Sequence, residues 1–192
     1  MDASPVPLSL YCPDCDDLLQ SEVVTVTCPN CGGPVRLAVD STAIPATLDD
    51  LGVAGQQEIS RFGPLFGIDL DPSEGLDAGG TTPIQCPSLA ASSGVGTLWI
   101  ADEGPNPTGS VADREMAFAL AAAKAQDADR VVLPSTGHAA RSAAAYAGRF
   151  GRDSIAFLPS RTPFLNKAMV NVHGGDLTIV EGRYPAAREA FE

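Results

Sequence analysis

Along the second half of the chain, short apolar runs alternate with longer alanine-rich stretches, and each run is closed by proline or glycine. The runs lie at residues 131–133, 155–158 and 177–180. Apolar runs of this length, bounded by turn residues, predict buried strands of a parallel sheet. The stretches between them predict helices, so right-handed βαβ units are expected. One helix should start near Val111, with Ser110 as its N-cap and Asp113 completing a variant of the capping box. A second should start near His138, after Ser135-Thr136-Gly137, and end near Gly151. A third should begin at Thr162-Pro163, with the cap before a proline at the first position, and stop at Gly174-Gly175. A last helix begins at Pro185.

The first half is patterned differently. Residues 22–27 carry the β-branched content of a strand. Residues 40–80 are rich in glycine, proline, aspartate and serine, with one loosely amphipathic stretch at 49–62 whose apolar positions are Leu51, Ala54, Ile59 and Phe62. The expected division is a small module over 1–40, a connector with one short helix over 41–80, and an α/β segment over 81–192.

Cysteine spacing gives the small module its chemistry. Cys12-Pro13-Asp14-Cys15 and Cys28-Pro29-Asn30-Cys31 are two C-x-x-C knuckles twelve residues apart. Four thiolates close a tetrahedral zinc site and leave no open catalytic position. Gly32 and Gly33 permit the turn that aims backbone amides at sulfur. The pattern reads as a structural zinc ribbon, with a rubredoxin-like iron site or two disulfides as alternatives; a reducing cytoplasm weighs against the disulfides. With almost no apolar core of its own, such a ribbon should owe most of its folding free energy to the metal. The fifth cysteine, Cys86, reads as a small buried hydrophobe.

Composition narrows the setting. The formal charge is -12, from 24 acidic against 12 basic residues, and only Lys124 and Lys167 are lysines. Dense carboxylates suit a high-salt cytoplasm, where they keep the surface hydrated and salt screens their repulsion, so a halophilic host is expected. Nucleic acid is excluded as a partner, because phosphate binding needs clustered cations. The first residues lack the basic start and apolar core of a signal peptide, and no apolar run approaches the roughly 20 residues that span a bilayer. A cytoplasmic chain is expected, with no membrane association.

The densest motif is Glu103-Gly104-Pro105-Asn106-Pro107-Thr108-Gly109-Ser110-Val111-Ala112-Asp113-Arg114. It closely resembles the E-G-x-N-P-T-G-S-F-K-D-R segment of threonine synthases. Asp77-Ala78-Gly79-Gly80-Thr81-Thr82-Pro83-Ile84 is similar to the family's G-E-G-x-T-P-L segment, and residues 98–104 to the strand that delivers the lysine loop. Leu133-Pro134-Ser135-Thr136-Gly137-His138-Ala139-Ala140 is similar to the A-S-T-G-N-T-S loop. Residues 155–159 and 180–184 match the V-F-L-P and V-E-G-N-F stations, in the same order.

The resemblance implies a fold-type II, tryptophan synthase β-like α/β domain, here its first part, built around pyridoxal phosphate. In that family the motif's lysine forms a Schiff base with the cofactor. Here the position is Ala112, and a methyl group cannot form an imine. Lys124, twelve positions along the same helix, is about 18 Å away at 1.5 Å per residue, and Lys167 lies two elements later and reads as solvated; neither replaces the missing amine. The family's S-T-G-N loop receives the substrate carboxylate on its amides, with the asparagine beside the cofactor's phenolic oxygen. Ser135, Thr136 and Gly137 are retained, while the asparagine is His138. The resemblance thus implies Ser110, Ser135, Thr136, Gly137 and His138 as cofactor- or substrate-binding positions. His138 is either a ring that blocks or replaces the cofactor or a solvent-facing first-turn residue. His173 reads as a residue suited to a helix C-terminus.

In the family, the glycine-rich loop for the cofactor phosphate and the side chain for the pyridine nitrogen come later than the last motif found here. Tight pyridoxal phosphate binding by this chain alone is therefore not expected. Three readings follow. The chain is a catalytically degenerate homologue, a pseudoenzyme kept for binding or regulation. Alternatively it is half of an active threonine synthase, turning O-phosphohomoserine into threonine and phosphate once a second polypeptide of the family, or self-association, completes it. A third reading is an amino-acid or phosphate sensor at the helix start 136–138.

Overall fold

The computed structural model describes residues 8–21, 27–38, 59–66, 68, 70 and 76–192. Three strands form the parallel sheet that the apolar runs predict: β6 (Arg130–Pro134), β7 (Asp153–Pro159) and β8 (Asp176–Val180). β7 lies in the middle, with Val132 opposite Ile155 and Phe157 opposite Thr178. Ahead of them come β1 (Leu8–Cys12), β2 (Asp17–Ser21), β3 (Arg36–Leu37), β4 (Pro83–Gln85) and β5 (Trp99–Ala101). The helices are α1 (Pro87–Ser93), α2 (Ala112–Ala125), α3 (His138–Arg149), α4 (Phe164–Val172) and α5 (Tyr184–Phe191).

Strand alternation decides which helix covers which face of the sheet. Ala156 and Leu158 of β7 pack with Ala140 and Ala144 of α3 and Val170 of α4. Phe157 points the other way, and its ring meets Phe191 of α5 edge-on at 6.3 Å. The sheet is thus covered on both sides, as a parallel sheet requires. Only β7 is well buried; β6 and β8 keep exposed positions, among them Val132 and Ile179.

Alanine content sets how α2 meets α3. Ala117 of α2 and Ala143 and Ala147 of α3 are buried beside Met116, Leu120 and Tyr146, and small side chains let the two helices come close. The Tyr146 hydroxyl donates to the Leu76 carbonyl at 3.2 Å, which ties the segment before β4 onto this core.

The module of β1, β2 and β3 is antiparallel, with Leu10 paired to both Leu19 and Leu37. It is not coreless, as its size predicts. Leu10 is buried with Ile68 and with Ala121 and Ala122 of α2, flanked by Phe66 and Phe118, whose rings meet edge-on at 5.2 Å. The far face of α2 is therefore the floor of the cysteine module.

Several local expectations need correction. Pro163 is itself the cap of α4, with ψ 139, so Phe164 is the first helical residue and the Thr162 hydroxyl is buried without a partner. Thr162 sits one residue too early because its amide closes a turn onto the Pro159 carbonyl. Cys86 is half-buried, not buried, and its thiol lies 3.6 Å from the Ile84 carbonyl oxygen ahead of α1. Lys167 is half-buried rather than freely solvated, and its ammonium donates to the Ser160 carbonyl at 3.0 Å. Of the stretch 49–62, residues 49–58 lie outside the described residues, and the rest belongs to a 3-10 helix, Ile59–Phe66. The strand expected at 22–27 also lies outside them, except for Thr27, which bridges to Pro34. His173 caps the C-terminal end of α4. Among the described residues, no helix is long and apolar enough to cross a membrane.

Candidate functional site

The four knuckle cysteines converge. Their sulfur atoms all lie within 4.8 Å of one another, with Cys12 and Cys31 3.5 Å apart and Cys15 and Cys28 3.7 Å apart. A disulfide would bring two sulfurs to about 2.05 Å, and all five cysteines are free. Tetrahedral coordination at a metal–sulfur distance of about 2.3 Å spaces the sulfurs by roughly 3.8 Å, so the set fits one metal ion. Backbone turns build it. Cys15 lies in the β1–β2 turn beside Asp16 at φ 56, and the second knuckle is closed by Gly32 donating to the Cys28 carbonyl at 2.8 Å. Gly33 sends its amide to the Cys31 sulfur at 3.4 Å. Amides of Cys31 and Asn30 draw the Cys28 thiol down to about 7, which favours the thiolate a metal requires. Cys15 is pushed up to about 12 by hydrogen bonding with the Cys31 thiol and by desolvation, the expected result of crowding thiols with no cation between them.

The second candidate is the loop from Glu103 to Ala112. Arg114 forks onto Glu103, with Nε to Oε2 at 2.8 Å and Nη2 to Oε1 at 2.9 Å, and its Nη2 also reaches the Thr81 hydroxyl at 2.9 Å. Such a fork fixes direction as well as distance. Asn106 is buried; its amide donates to Glu103 Oε2 at 2.6 Å and its oxygen accepts the Gly79 amide at 2.9 Å. The fork with Arg114 holds the Glu103 carboxyl below its usual range, with Asn106 and Thr81 adding to the effect. Two separate motif segments, 77–84 and 103–114, are thus knotted into one frame.

Asp113 does not complete a capping box with Ser110. Its carboxylate is fully buried and accepts from the Thr108 amide at 2.7 Å, the Thr108 hydroxyl at 2.7 Å and the Ser142 hydroxyl at 2.5 Å. It therefore pins the loop to α3. Ser110 accepts the Ala112 amide at 3.2 Å, a local bond at the helix start. Ala112 opens α2 half-buried, with its methyl where the resemblance places a lysine amine.

Across from it, the Ser135 hydroxyl is buried and accepts the amides of Gly137 and Ala140 at 3.0 and 3.2 Å. It works as the cap of α3, and its acceptor is occupied by the chain itself. Gly137 adopts φ 133 and leaves no room for a side chain: a Cβ would stand 2.6 Å from Asn166 Nδ2. Thr136 and His138 are exposed at the same helix start. The structure brings the two loops together through Asp113 and Ser142, and through Arg141, whose Nη2 would lie 3.7 Å from a Cβ on Gly109. Sequence reasoning missed Asp113 as a tether, Ser142, Asn166 and Arg141. Polar residues interrupting alanine-rich helices were the available signal.

Comparisons with known proteins agree with this geometry. The model of the family described as pyridoxal-phosphate dependent enzyme matches residues 76–192. The threonine synthase of Methanosarcina acetivorans is 27% identical over 179 residues, covering 93% of this chain and 44% of the relative. That of Bacillus sp. (strain ULM1) is 37% identical over 113 residues, covering 58% and 32%. Among solved structures, an O-ureido-L-serine-bound mutant of O-ureido-L-serine synthase matches with a TM-score of 0.53 at 20% identity, over 58% of this chain and 36% of that one. Threonine deaminase isoform 2 from Solanum lycopersicum gives 0.51 at 20% identity, over 58% and 31%. The chain spans less than half the length of the curated relatives it matches. With its parallel sheet, its motif loops and the family match over 76–192, the chain belongs to the pyridoxal-phosphate dependent enzyme family.

Proposed function

We propose that this chain is a threonine-synthase-like pseudoenzyme, a binding or regulatory homologue that does not form the family's Schiff base. The observation that carries this is Ala112. It stands at the first position of α2, where the loop frame of Glu103, Asn106, Thr108 and Asp113 is otherwise intact. A frame preserved around a position with no amine does not fit a covalently held aldehyde cofactor. No other lysine compensates: Lys124 lies near the far end of the same helix, and Lys167 is bound to Ser160 on another element. Ser135, spent on capping α3, is also less available to a ligand.

We assign zinc to the cysteine set. Four sulfur donors leave no open position, so the metal's role there is structural. Cys12, Cys15, Cys28 and Cys31 would hold it, and the amides of the second knuckle would favour thiolates. The surplus of acidic residues is read as adaptation to a salty cytoplasm.

The test is spectroscopic. The purified chain is mixed with pyridoxal phosphate, reduced with borohydride and digested. The expected result is no pyridoxyl group on any lysine above the level of denatured chain; a stoichiometric adduct on Lys124 or Lys167 would remove the reading.

A second reading has one observation in its favour. Every residue of β4 and β5 is exposed, Ile84, Trp99 and Ile100 included, and the two strands pair only with each other among the described residues. A two-stranded sheet is marginal by itself, so a second polypeptide of the family could supply its cover. In that case the lysine comes from the partner, and activity on O-phosphohomoserine should appear only in the mixture. Threonine release by the chain plus a full-length family member, above that of the member alone, would support this reading.

A further inference from the structure

The four sulfurs of the cysteine set are not equivalent. Cys12 and Cys28 are buried, whereas Cys15 and Cys31 are exposed and sit in turns. Each exposed cysteine has a buried one of the other knuckle at short range: the Cys31 sulfur lies 3.5 Å from that of Cys12, and the Cys15 sulfur 3.7 Å from that of Cys28. A structural metal site requires four thiolates around one point, but it does not require that two of them face solvent. Cysteine oxidation follows thiolate character and access, and a metal-binding thiolate at an exposed turn has both. Cys86 lacks this arrangement; it is half-buried, with its thiol against the Ile84 carbonyl.

Hydrogen peroxide reaching Cys15 or Cys31 is attacked by the thiolate. The O–O bond breaks, one oxygen stays on sulfur as a sulfenic acid, and the other leaves as water after taking up a proton. The thiolate of the buried partner then attacks that sulfur; the S–S bond forms, and the sulfenic oxygen leaves as hydroxide, which a second proton turns into water. Each sulfur pair thus gives up two electrons, and these reduce one peroxide to two waters. The paired sulfurs have to close by roughly 1.5 Å to reach the disulfide length of about 2.05 Å. A sulfur held in a disulfide is no longer a thiolate donor, so the metal loses its ligands in pairs.

We propose that the cysteine set is a peroxide-responsive oxidation site, at which two disulfides crossing between the knuckles, Cys12–Cys31 and Cys15–Cys28, form reversibly and the metal ion is released. Crossed bonds keep the knuckles stapled to each other, so Leu10 of β1 keeps its place against Ala121 and Ala122 of α2 once the metal has gone. Bonds within each knuckle would leave the two halves of the module unlinked. The release step rests on the metal reading above; the pairing rests on the sulfur positions alone.

Titration of the full, zinc-loaded chain with hydrogen peroxide tests it. Released zinc is read with a chromophoric chelator, remaining thiols are alkylated, and disulfides are located by mass spectrometry of the unreduced digest. The expected result is loss of the zinc as about two peroxides per chain are consumed, linked Cys12–Cys31 and Cys15–Cys28 peptides, and zinc uptake again after dithiothreitol. C86S should follow the same curve; a C86S chain that resists peroxide would move the reactive thiol to Cys86 and overturn the proposal. Amide exchange in β1 and the last turn of α2 should stay near that of the zinc form after oxidation, and well below that of reduced chain stripped by a chelator. Zinc and free thiols retained in excess peroxide, disulfides confined to Cys12–Cys15 and Cys28–Cys31, or conversion to sulfinic acids that dithiothreitol does not reverse would each overturn it. A chain that takes up no zinc before treatment yet forms the crossed disulfides would remove the metal assignment and leave the oxidation site standing.

Discussion

Asp113 holds the loop to the helix behind it, and its burial makes that attachment expensive to lose. Replacing it with alanine strands the Thr108 amide and the hydroxyls of Thr108 and Ser142. Each buried orphan costs about 1–3 kcal/mol, so Asp113→Ala should lose at least about 3 kcal/mol in urea denaturation, against a fraction of that for Ser142→Ala. An equal, small loss for both would mean that the carboxylate is not the tether. Glu103 carries a pH signature. Its folded pKa is depressed by Arg114, so its contribution is present above the unfolded value of about 4.3 and disappears as pH falls through the lower folded value. Wild type should therefore lose stability on acidification more steeply than Glu103→Gln, the two curves converging in strong acid. Parallel curves would show that the fork adds nothing. At this scale the cysteines and Ala112 were legible in the sequence, because spacing and a broken motif need no coordinates. The roles of Asp113 and Ser135 were not, since both depend on which backbone amides the fold turns toward them.

At the level of elements, α2 serves two cores at once. One face packs on α3 through Met116, Ala117 and Leu120, and the other floors the cysteine module through Ala121 and Ala122. Metal removal should accordingly be felt beyond the ribbon. With a chelator, amide exchange should accelerate in β1–β3 and in the last turns of α2, while β6–β8 keep their protection. Unchanged exchange in α2 would separate the two regions energetically. The parallel strands and their helices were readable from apolar runs between glycine and proline, a pattern that survives because β7 is covered by helices on both faces. The β4–β5 pair was not readable as antiparallel, because three-residue strands exposed throughout leave no alternation to detect. The start of α4 was misplaced by one residue because Pro163 is compatible with both the cap and the first turn.

For the whole molecule, a family fold, a metal-binding cysteine set and a missing amine have to be reconciled in one chain. The parallel sheet and the loop frame are intact among the described residues, so in the pseudoenzyme reading proposed above the loss is of chemistry at Ala112 and not of the local architecture. Exposed apolar residues such as Trp99 and Phe164 mark where further protein could pack. If they are covered by a partner, Trp99 fluorescence should shift to shorter wavelength in the native complex relative to the isolated chain. The most direct measurement is native mass spectrometry of the protein purified from its own cells, before and after borohydride treatment. The expected spectrum shows each chain carrying one zinc ion and no mass added by the reductant. A pyridoxyl group fixed to this chain would contradict the central claim.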